Sequence, residues 1–290
     1  MTVTTLLLVD VQKDFHPGGS LAIPSAGGDA ERIAALLREH PGKITRVVAT
    51  MDSHQRLHIA HPGFWRSGSS GEPPVPFTVI TSQDVNDGIW TPREDLRIPP
   101  GTLDPAVFSG HGSVLAEDGK SINLRKYAIE YTRRLEEGGQ FRLCIWPEHC
   151  LIGSPGHGVV DVVFEALREW SHSTGGSVEW IPKGENLLTE SYSALEAEVP
   201  VDGSTTFRTD VQASLERSDR LVICGQAMSH CVNYTARHIV ERWPKDRVSS
   251  IALLTDCASS VPGFEAAGEA FQKEMANAGV QLVTSENLFS

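Results

Sequence analysis

The chain has 290 residues, of which 40% are hydrophobic and 21% are charged, a composition that is ordinary for a globular protein and unlike that of a disordered one. Its formal net charge of -12 comes without acidic or basic blocks. Nucleic acids and anionic membranes both bind cationic surfaces, so neither is an expected partner. No apolar run approaches the roughly 20 residues that a membrane-spanning helix needs.

Short apolar runs alternate with helical patterns along most of the chain. Buried strands are predicted at residues 5–9, 44–50, 143–146, 178–181, 221–224, 250–254 and 280–284. Helices are predicted at residues 30–39, 159–170, 230–243 and 265–278. This alternation predicts an α/β fold, a three-layer sandwich in which helices flank a mainly parallel, Rossmann-like central sheet.

The stretch from about residue 62 to residue 140 interrupts this alternation. It is rich in glycine, proline and serine, with GSSGEPPVP and RIPPG as loop signals, and only residues 122–137 have a helical pattern. We interpret it as an insertion, a lid or an oligomer contact, within a single domain that spans residues 1–290. A smaller loop is predicted at residues 198–208.

The N-terminus and the cysteines indicate a cytoplasmic protein. The apolar residues 6–9 follow no cationic segment and are interrupted by Asp10 and Lys13, so they predict a buried strand and not a signal peptide. Five cysteines, an odd number, favour reduced thiols over a disulfide framework. Because there is no CxxC pair, a structural zinc site of the finger type is not expected.

Polar residues at the predicted strand ends are the candidates for chemistry, because ligands of open parallel sheets bind beyond the carboxyl ends of the strands. A single Asp or Cys at such a position is more often a turn residue or inert packing. Here many occur at one edge of one sheet, which favours a functional site. They are Asp10, Gln12 and Asp14, Asp52 and His54, His149 and Cys150, Lys183, and finally Ser229, His230 and Cys231.

The first candidate site is a metal centre. Asp52 and His54 are two residues apart, so in an extended segment their side chains project the same way. With His149 they make an Asp/His/His ligand set, which suits Zn²⁺, or Fe²⁺ or Mn²⁺, with positions left open for water or substrate. His58 and His61 lie near enough in sequence to replace a ligand or to support one. The alternative is a group of surface histidines with no metal.

The second candidate is a nucleophilic cysteine. In CGQAMSHCV, Cys231 is predicted to lie at the amino end of a helix, whose dipole favours the thiolate. Such a nucleophile also needs a proton acceptor and an oxyanion site. Asp10 is the natural base, and the backbone amides of residues 228–231 are the natural oxyanion donors. Lys183 can keep Asp10 ionised and stabilise a tetrahedral intermediate.

Five segments, in chain order, resemble motifs of the nicotinamidases and other isochorismatase-like cysteine hydrolases. LLLVDVQKDFHPGGSLA is similar to their opening DVQNDF–PGGSL segment, and TMDSH to their metal-binding Asp-Trp-His. WPEHCLIGSPG is similar to their Trp-Pro-x-His-Cys stretch, PKGENLLTESYSAL to their Lys-Gly…Ser-Tyr-Ser-Ala segment, and CGQAMSHCVNYTA to their nucleophile motif. The resemblance covers the whole chain except residues 62–140 and 198–208.

The resemblance implies a metal-dependent amidohydrolase that releases ammonia from nicotinamide through a thioester, a reaction of NAD salvage. It also implies an aromatic pocket, a cis peptide between Ala227 and Met228, and, from family habit, a homo-oligomer. Since the isochorismatases lack the cysteine, Cys231 points to the amidase branch. The implied residues are Asp10, Lys183 and Cys231 for catalysis, Asp52, His54 and His149 for the divalent metal, Phe15, Trp146 and His230 for the substrate pocket, and Ala227, Met228 and Cys231 for the oxyanion.

Several features depart from the family pattern and leave alternatives open. Lys13, Ser53 and Met228 replace the usual Asn, Trp and Thr, and the stretch 62–140 is unusually long. One alternative is a related hydrolase of another small amide, carbamoyl compound or ureide, although ligation of a ring nitrogen by the metal favours nicotinamide. A second is a non-catalytic binding protein on this fold, but no member of the triad is lost. A dinucleotide-binding dehydrogenase is excluded because no GxGxxG follows the first strand.

Overall fold

Six parallel strands form the central sheet in the computed structural model, which describes residues 2–108, 114–138 and 141–290. Numbered along the chain, they are β1 (Thr4–Val9), β2 (Arg46–Asp52), β7 (Val178–Lys183), β8 (Arg220–Gly225), β9 (Ile251–Leu254) and β10 (Gln281–Val283). They lie in the order β10-β9-β8-β1-β2-β7, and every neighbouring pair is parallel. The predicted α/β sandwich is therefore confirmed.

Helices pack against both faces of the sheet. Leu6 and Leu8 of β1 point into one apolar cluster, which includes residues of two helices, and Leu7 and Val9 point into the other, to which several helices contribute, among them the three that follow β7 along the chain. A strand that is covered on both sides has to be apolar throughout, since successive side chains point to opposite faces. The first two helices are α1 (Ala26–Glu39) and α4 (Asp161–Thr174), and the other three are α5 (Thr209–Glu216), α6 (Cys231–Arg242) and α7 (Glu265–Ala278). In the part of the chain that is described, no helix combines the length and the hydrophobicity needed to span a membrane.

The core strand predicted at residues 143–146 is wrong. Only Leu143–Cys144 (β6) is extended there, and it pairs antiparallel with Val79–Ile80 (β4) in a separate two-stranded sheet. The amide of Trp146 donates to the carbonyl of Ala60, at 2.8 Å, so a loop and not a central strand satisfies the backbone of this apolar run. An apolar run indicates burial, but it does not say which backbone it pairs with.

Residues 62–140 contribute no strand to the central sheet wherever the structure describes them. The helix predicted at 122–137 is present as α3 (Leu124–Glu137), whereas the sequence does not indicate the short α2 (Ser82–Asn86). Residues 109–113 and 139–140 of this stretch lie outside the described residues, and its status as an insertion stays a prediction. Besides β4, its elements are β3 (Trp65–Ser67) and β5 (Trp90–Pro92), which pair with each other, α2 (Ser82–Asn86) and α3 (Leu124–Glu137).

Candidate active site

Three side chains predicted as a triad meet at the carboxyl edge of the sheet. Asp10 follows β1, Lys183 ends β7, and Cys231 begins α6. Nζ of Lys183 lies 3.0 Å from Oδ2 of Asp10 and 3.5 Å from Sγ of Cys231. All three residues are at most 6% exposed. The structure therefore brings together a carboxylate, an ammonium group and a thiol that are far apart along the chain.

Further contacts fix the carboxylate and the ammonium group. Asp10 has a φ of +46°, in the left-handed region, and its amide donates to Oγ1 of Thr50 at 3.1 Å. The Thr50 hydroxyl donates in turn to Oδ1 of Asp10, at 2.5 Å. Nζ of Lys183 also donates to Oδ1 of Asp52 and to the carbonyl of Ser191, both at 2.9 Å. These short contacts leave each group little freedom to move.

The charges of the triad depend on burial and on each other. Burial opposes a charge on Lys183, but the carboxylates of Asp10 and Asp52 outweigh it and raise the pKa of the ammonium group well above its usual value. Burial raises the pKa of Asp10, against the influence of Lys183, and it raises the pKa of the Cys231 thiol well above its usual value. The resting thiol is therefore protonated, and it needs a base beside it.

The backbone before Cys231 differs from the prediction. The cis peptide lies between Gln226 and Ala227, one bond before the predicted position at Ala227–Met228, so that prediction is wrong. The amide of Met228 donates to the carbonyl of Ser259 at 2.8 Å and is not free to hold an oxyanion. The His230 amide donates to the Ala227 carbonyl, whereas the amides of Ala227, Ser229 and Cys231 have no acceptor among the described residues and remain as candidates.

The predicted metal ligands also converge. Oδ2 of Asp52 lies 2.9 Å from Nε2 of His54 and 3.3 Å from Nε2 of His149. The Nδ1 atoms of these histidines face the carbonyls of Gly184 and Pro147, at 3.1 and 2.8 Å. A ring that donates through Nδ1 presents the lone pair of Nε2, which is how backbone carbonyls orient metal-ligating histidines. The donor set and its orientation thus fit a divalent metal ion.

His61, and not His58, is placed to join these ligands. One ligand atom each from His54, His61 and His149 lies within 4.8 Å of the others, and both ring nitrogens of His61 are buried with no hydrogen-bond partner in the part of the chain that the structure describes. His54, His58 and Glu190 form a second such group. However, Nδ1 of His58 accepts from the amide of Ala60, so Nε2 is left to donate to a carbonyl, and neither nitrogen is free.

The predicted pocket residues line a small cavity beside the Cys231 sulfur. Trp146 donates through Nε1 to the hydroxyl of Tyr192 at 3.3 Å, and His230 packs against both rings. Burial lowers the pKa of His230 to about 3, so its ring is neutral near pH 7. The aromatic and apolar walls of this cavity are Phe15, Leu21, Trp146, Tyr192, His230 and Val261.

Some residues at the site were not predicted from the sequence. Tyr192 lies within the Ser-Tyr-Ser-Ala segment, and that motif could have indicated it. Ser191, whose carbonyl contacts Lys183, begins the same segment, whereas Glu190, which lines the cavity, has no comparable signal. The side chain of Gln12 bonds both to the amide and to the carbonyl of Asp52, at 2.7 Å each. The sequence indicates Gln12 only by its position after β1, and here its side chain holds a candidate ligand in place.

Comparison with known sequences finds two curated relatives, and no family model matches the chain. A nicotinamidase of Escherichia coli (strain K12) is 27% identical over 238 residues, which cover 81% of this chain and 75% of the relative. A nicotinamidase of Schizosaccharomyces pombe is 26% identical over 185 residues, which cover 62% of this chain and 70% of the relative.

Solved structures with the same fold include three described as nicotinamidases or pyrazinamidases. The Acinetobacter baumanii nicotinamidase/pyrazinamidase has a TM-score of 0.59 at 20% identity and covers 100% of this chain and 99% of its own. The yeast nicotinamidase bound to the inhibitor nicotinaldehyde has a TM-score of 0.61 at 19% identity, with 97% and 100% coverage. The Pyrococcus horikoshii pyrazinamidase in complex with zinc has a TM-score of 0.52 at 20% identity, with 97% and 98% coverage.

Proposed function

We propose that this chain hydrolyses nicotinamide to nicotinate and ammonia, and that it is a member of the nicotinamidase and isochorismatase-like family, as its curated relatives and its ordered motifs indicate. Cys231 is the proposed nucleophile. The observation that carries the proposal is the position of the Lys183 ammonium group, 3.0 Å from Asp10 and 3.5 Å from the Cys231 sulfur. A buried thiol, a base and a fixed cation are the parts that nucleophilic amide cleavage needs.

In the proposed first step, the Cys231 sulfur attacks the amide carbon of the substrate while Asp10 takes the thiol proton. The carbonyl electrons move to the oxygen, where the free amides of Ala227 and Cys231 stabilise the negative charge. The C–N bond then breaks, and Asp10 returns the proton to the departing nitrogen, which leaves as ammonia. Lys183 remains protonated throughout, because two carboxylates raise its pKa.

In the proposed second step, water hydrolyses the thioester. Asp10 takes a proton from water, whose oxygen bonds to the acyl carbon, and the C–S bond breaks. Asp10 returns this proton to the Cys231 sulfur, and the nicotinic acid leaves as nicotinate after it loses its acid proton to solvent. The buried surroundings of the sulfur keep other nucleophiles away from the thioester between the two steps.

We propose a divalent cofactor, Zn²⁺ or else Fe²⁺ or Mn²⁺, at Asp52, His54 and His149, with His61 available as a further ligand. The orientation of the two Nε2 atoms and the unpartnered nitrogens of His61 support this site. When bound, the ion would act as a Lewis acid for the pyridine nitrogen of nicotinamide and so orient the ring. The mixed nitrogen and oxygen donors suit all three ions.

Wider aspects of the proposal rest on composition. We propose that the protein acts in NAD salvage in the cytoplasm, which is consistent with five free, buried cysteines. The net charge of -12 gives no reason to expect nucleic acid or anionic membranes as partners. A homo-oligomer remains part of the proposal, and sedimentation of the purified protein would test it.

A screen for ammonia release tests the proposed substrate. Purified, metal-loaded protein is incubated with nicotinamide, pyrazinamide and a panel of aliphatic amides, carbamoyl compounds and ureides. We expect kcat/KM to be highest for the two nitrogen heterocycles, because only they offer a ring nitrogen to the metal. A preference for a ureide or an aliphatic amide would instead favour the alternative hydrolase, and ammonia release from none of these compounds would favour a binding protein.

A further inference from the structure

One wall of the site is a loop without regular secondary structure, residues 188–192. Its Ser191 carbonyl accepts from Nζ of Lys183 at 2.9 Å, and its Tyr192 ring lines the cavity. Its Thr189 carbonyl faces Nε2 of His58 at 2.9 Å. This loop therefore contacts the ammonium group, the pocket and the histidine cluster together. Any shift of the loop would move all three.

Two tyrosines of α3 hold this loop from the opposite side. The hydroxyl of Tyr127 donates to the carbonyl of Leu188 at 2.6 Å, and the amide of Glu190 donates to the hydroxyl of Tyr131 at 3.0 Å. Both tyrosines are fully buried, and their rings stack with centroids 5.9 Å apart. Burial raises the pKa of each phenol, so both hydroxyls stay neutral. The two bonds hold the loop on either side of Thr189.

Among the described residues no strand pairs with this loop, so single bonds such as these two, and the one from the Glu198 amide to the Glu190 carbonyl, satisfy its backbone. A buried amide or carbonyl that loses its partner is costly, and the backbone then moves to find another. Glu190 is adjacent to Ser191, so a movement at its amide displaces the Ser191 carbonyl. The Ser191 carbonyl and the carboxylates of Asp10 and Asp52 fix the position of the Lys183 ammonium group relative to the Cys231 sulfur.

We infer that Tyr127 and Tyr131 are positioning residues for Lys183, and that α3, within the stretch 62–140, thereby forms part of the active site. The inference rests on the proposed roles of Lys183 and Cys231. It gives a function to a stretch that the family motifs do not cover. The tyrosines touch neither substrate nor thiol and act only through the loop.

Tyr127→Phe and Tyr131→Phe test the inference, because each removes one hydroxyl and keeps the ring. The matched control is Thr132→Val, since the Thr132 hydroxyl is also buried on α3 but bonds only to α3 carbonyls, those of Ala128 and Ile129. We expect kcat for nicotinamide to fall roughly 10- to 100-fold in each tyrosine variant, the scale of a displacement of about 1 Å. KM should change less than kcat, because Phe15, Trp146 and His230 lie outside the loop and only Tyr192 of the ring-binding pocket moves with it.

A second measurement does not depend on turnover. The rate of Cys231 alkylation by iodoacetamide at one fixed pH, read by peptide mass spectrometry, should fall in both tyrosine variants, because a displaced ammonium group stabilises the thiolate less. Thr132→Val should alkylate like the wild type. Hydrogen exchange at the Glu190 amide should become faster in Tyr131→Phe.

Wild-type kcat and alkylation rate in a folded Tyr131→Phe variant would overturn the inference. Equal losses in Thr132→Val would also overturn it, because a general weakening of α3 would then explain them. Absence of ammonia release by the wild type would refute the proposed function alone, and the alkylation rates would still decide the positioning role. If Tyr127→Phe does not fold, Tyr131→Phe carries the same comparison.

Discussion

Replacing Lys183 by methionine should lower the free energy of unfolding far more than the loss of a single charge suggests. Nζ lies 2.9 Å from Asp52 and 3.0 Å from Asp10, in a site almost closed to water. Coulomb's law gives roughly 5.5 kcal/mol for each such contact at an effective dielectric constant of about 20. Most of this offsets the desolvation of the ammonium group, but its removal leaves two carboxylates buried without their cation. Loss of one partner from a buried pair typically costs about 3–5 kcal/mol.

We therefore expect Lys183→Met to lose about 3–5 kcal/mol of unfolding free energy in metal-free protein. Urea denaturation followed by tryptophan fluorescence measures this loss. The matched control is Lys13→Met, which breaks a contact of only 2.6 Å with Asp161, but between side chains that are 40% and 84% exposed. That variant should lose less than about 1 kcal/mol. Equal losses in the two variants, or no loss in Lys183→Met, would refute the electrostatic reasoning.

Three further predictions concern the metal site and pH. Gly184→Ala should lose metal affinity, because at a φ of +76° the new Cβ would lie 2.8 Å from Cε1 of His54. The control is Gly175→Ala, which has a similar φ of +73° but no described atom within 4 Å of the new Cβ, and which should bind metal normally. Elemental analysis after dialysis measures the metal content of both variants. Chelation should raise KM for nicotinamide, and an unchanged KM in metal-free protein would contradict ligation of the ring nitrogen. Burial lowers the pKa of His230 to about 3, so between that pH and about 6.5 unfolding takes up a proton, and the free energy of unfolding falls as the pH falls. In His230→Phe this fall should be shallower by up to about 1.4 kcal/mol per pH unit, and parallel curves of unfolding free energy against pH would exclude this role of His230.

The parts of the site that follow strands could be predicted from the sequence. Asp10, Asp52 and Lys183 end or follow parallel strands, and the carboxyl ends of such strands share one edge. Knowing the strands was therefore enough to predict that these residues approach each other. The same reasoning failed at residues 143–146, where burial in a loop gives the same apolar signal as a central strand. His149 nevertheless reaches the site, because the loop that contains His149 packs over the site.

Other features depend on tertiary contacts that no local pattern records. The Met228 amide is engaged because the segment after β9 brings the Ser259 carbonyl to it. The sequence offers His58 and His61 as equal candidates, and only the ring contacts of the folded chain place His61 against both His54 and His149. The hydroxyls of Tyr127 and Tyr131 reach a loop about 60 residues further along the chain, and the sequence around them predicts only a helix.

Ammonia release from nicotinamide by Cys231→Ala tests the central claim most directly. The control is Cys224→Ala, which shortens another buried cysteine, on β8, that lies outside the triad. Both variants should keep the wild-type circular dichroism spectrum, and Cys224→Ala should turn over nicotinamide. We expect no ammonia from Cys231→Ala above the uncatalysed rate. Turnover by Cys231→Ala near the wild-type rate would contradict a thioester on this sulfur.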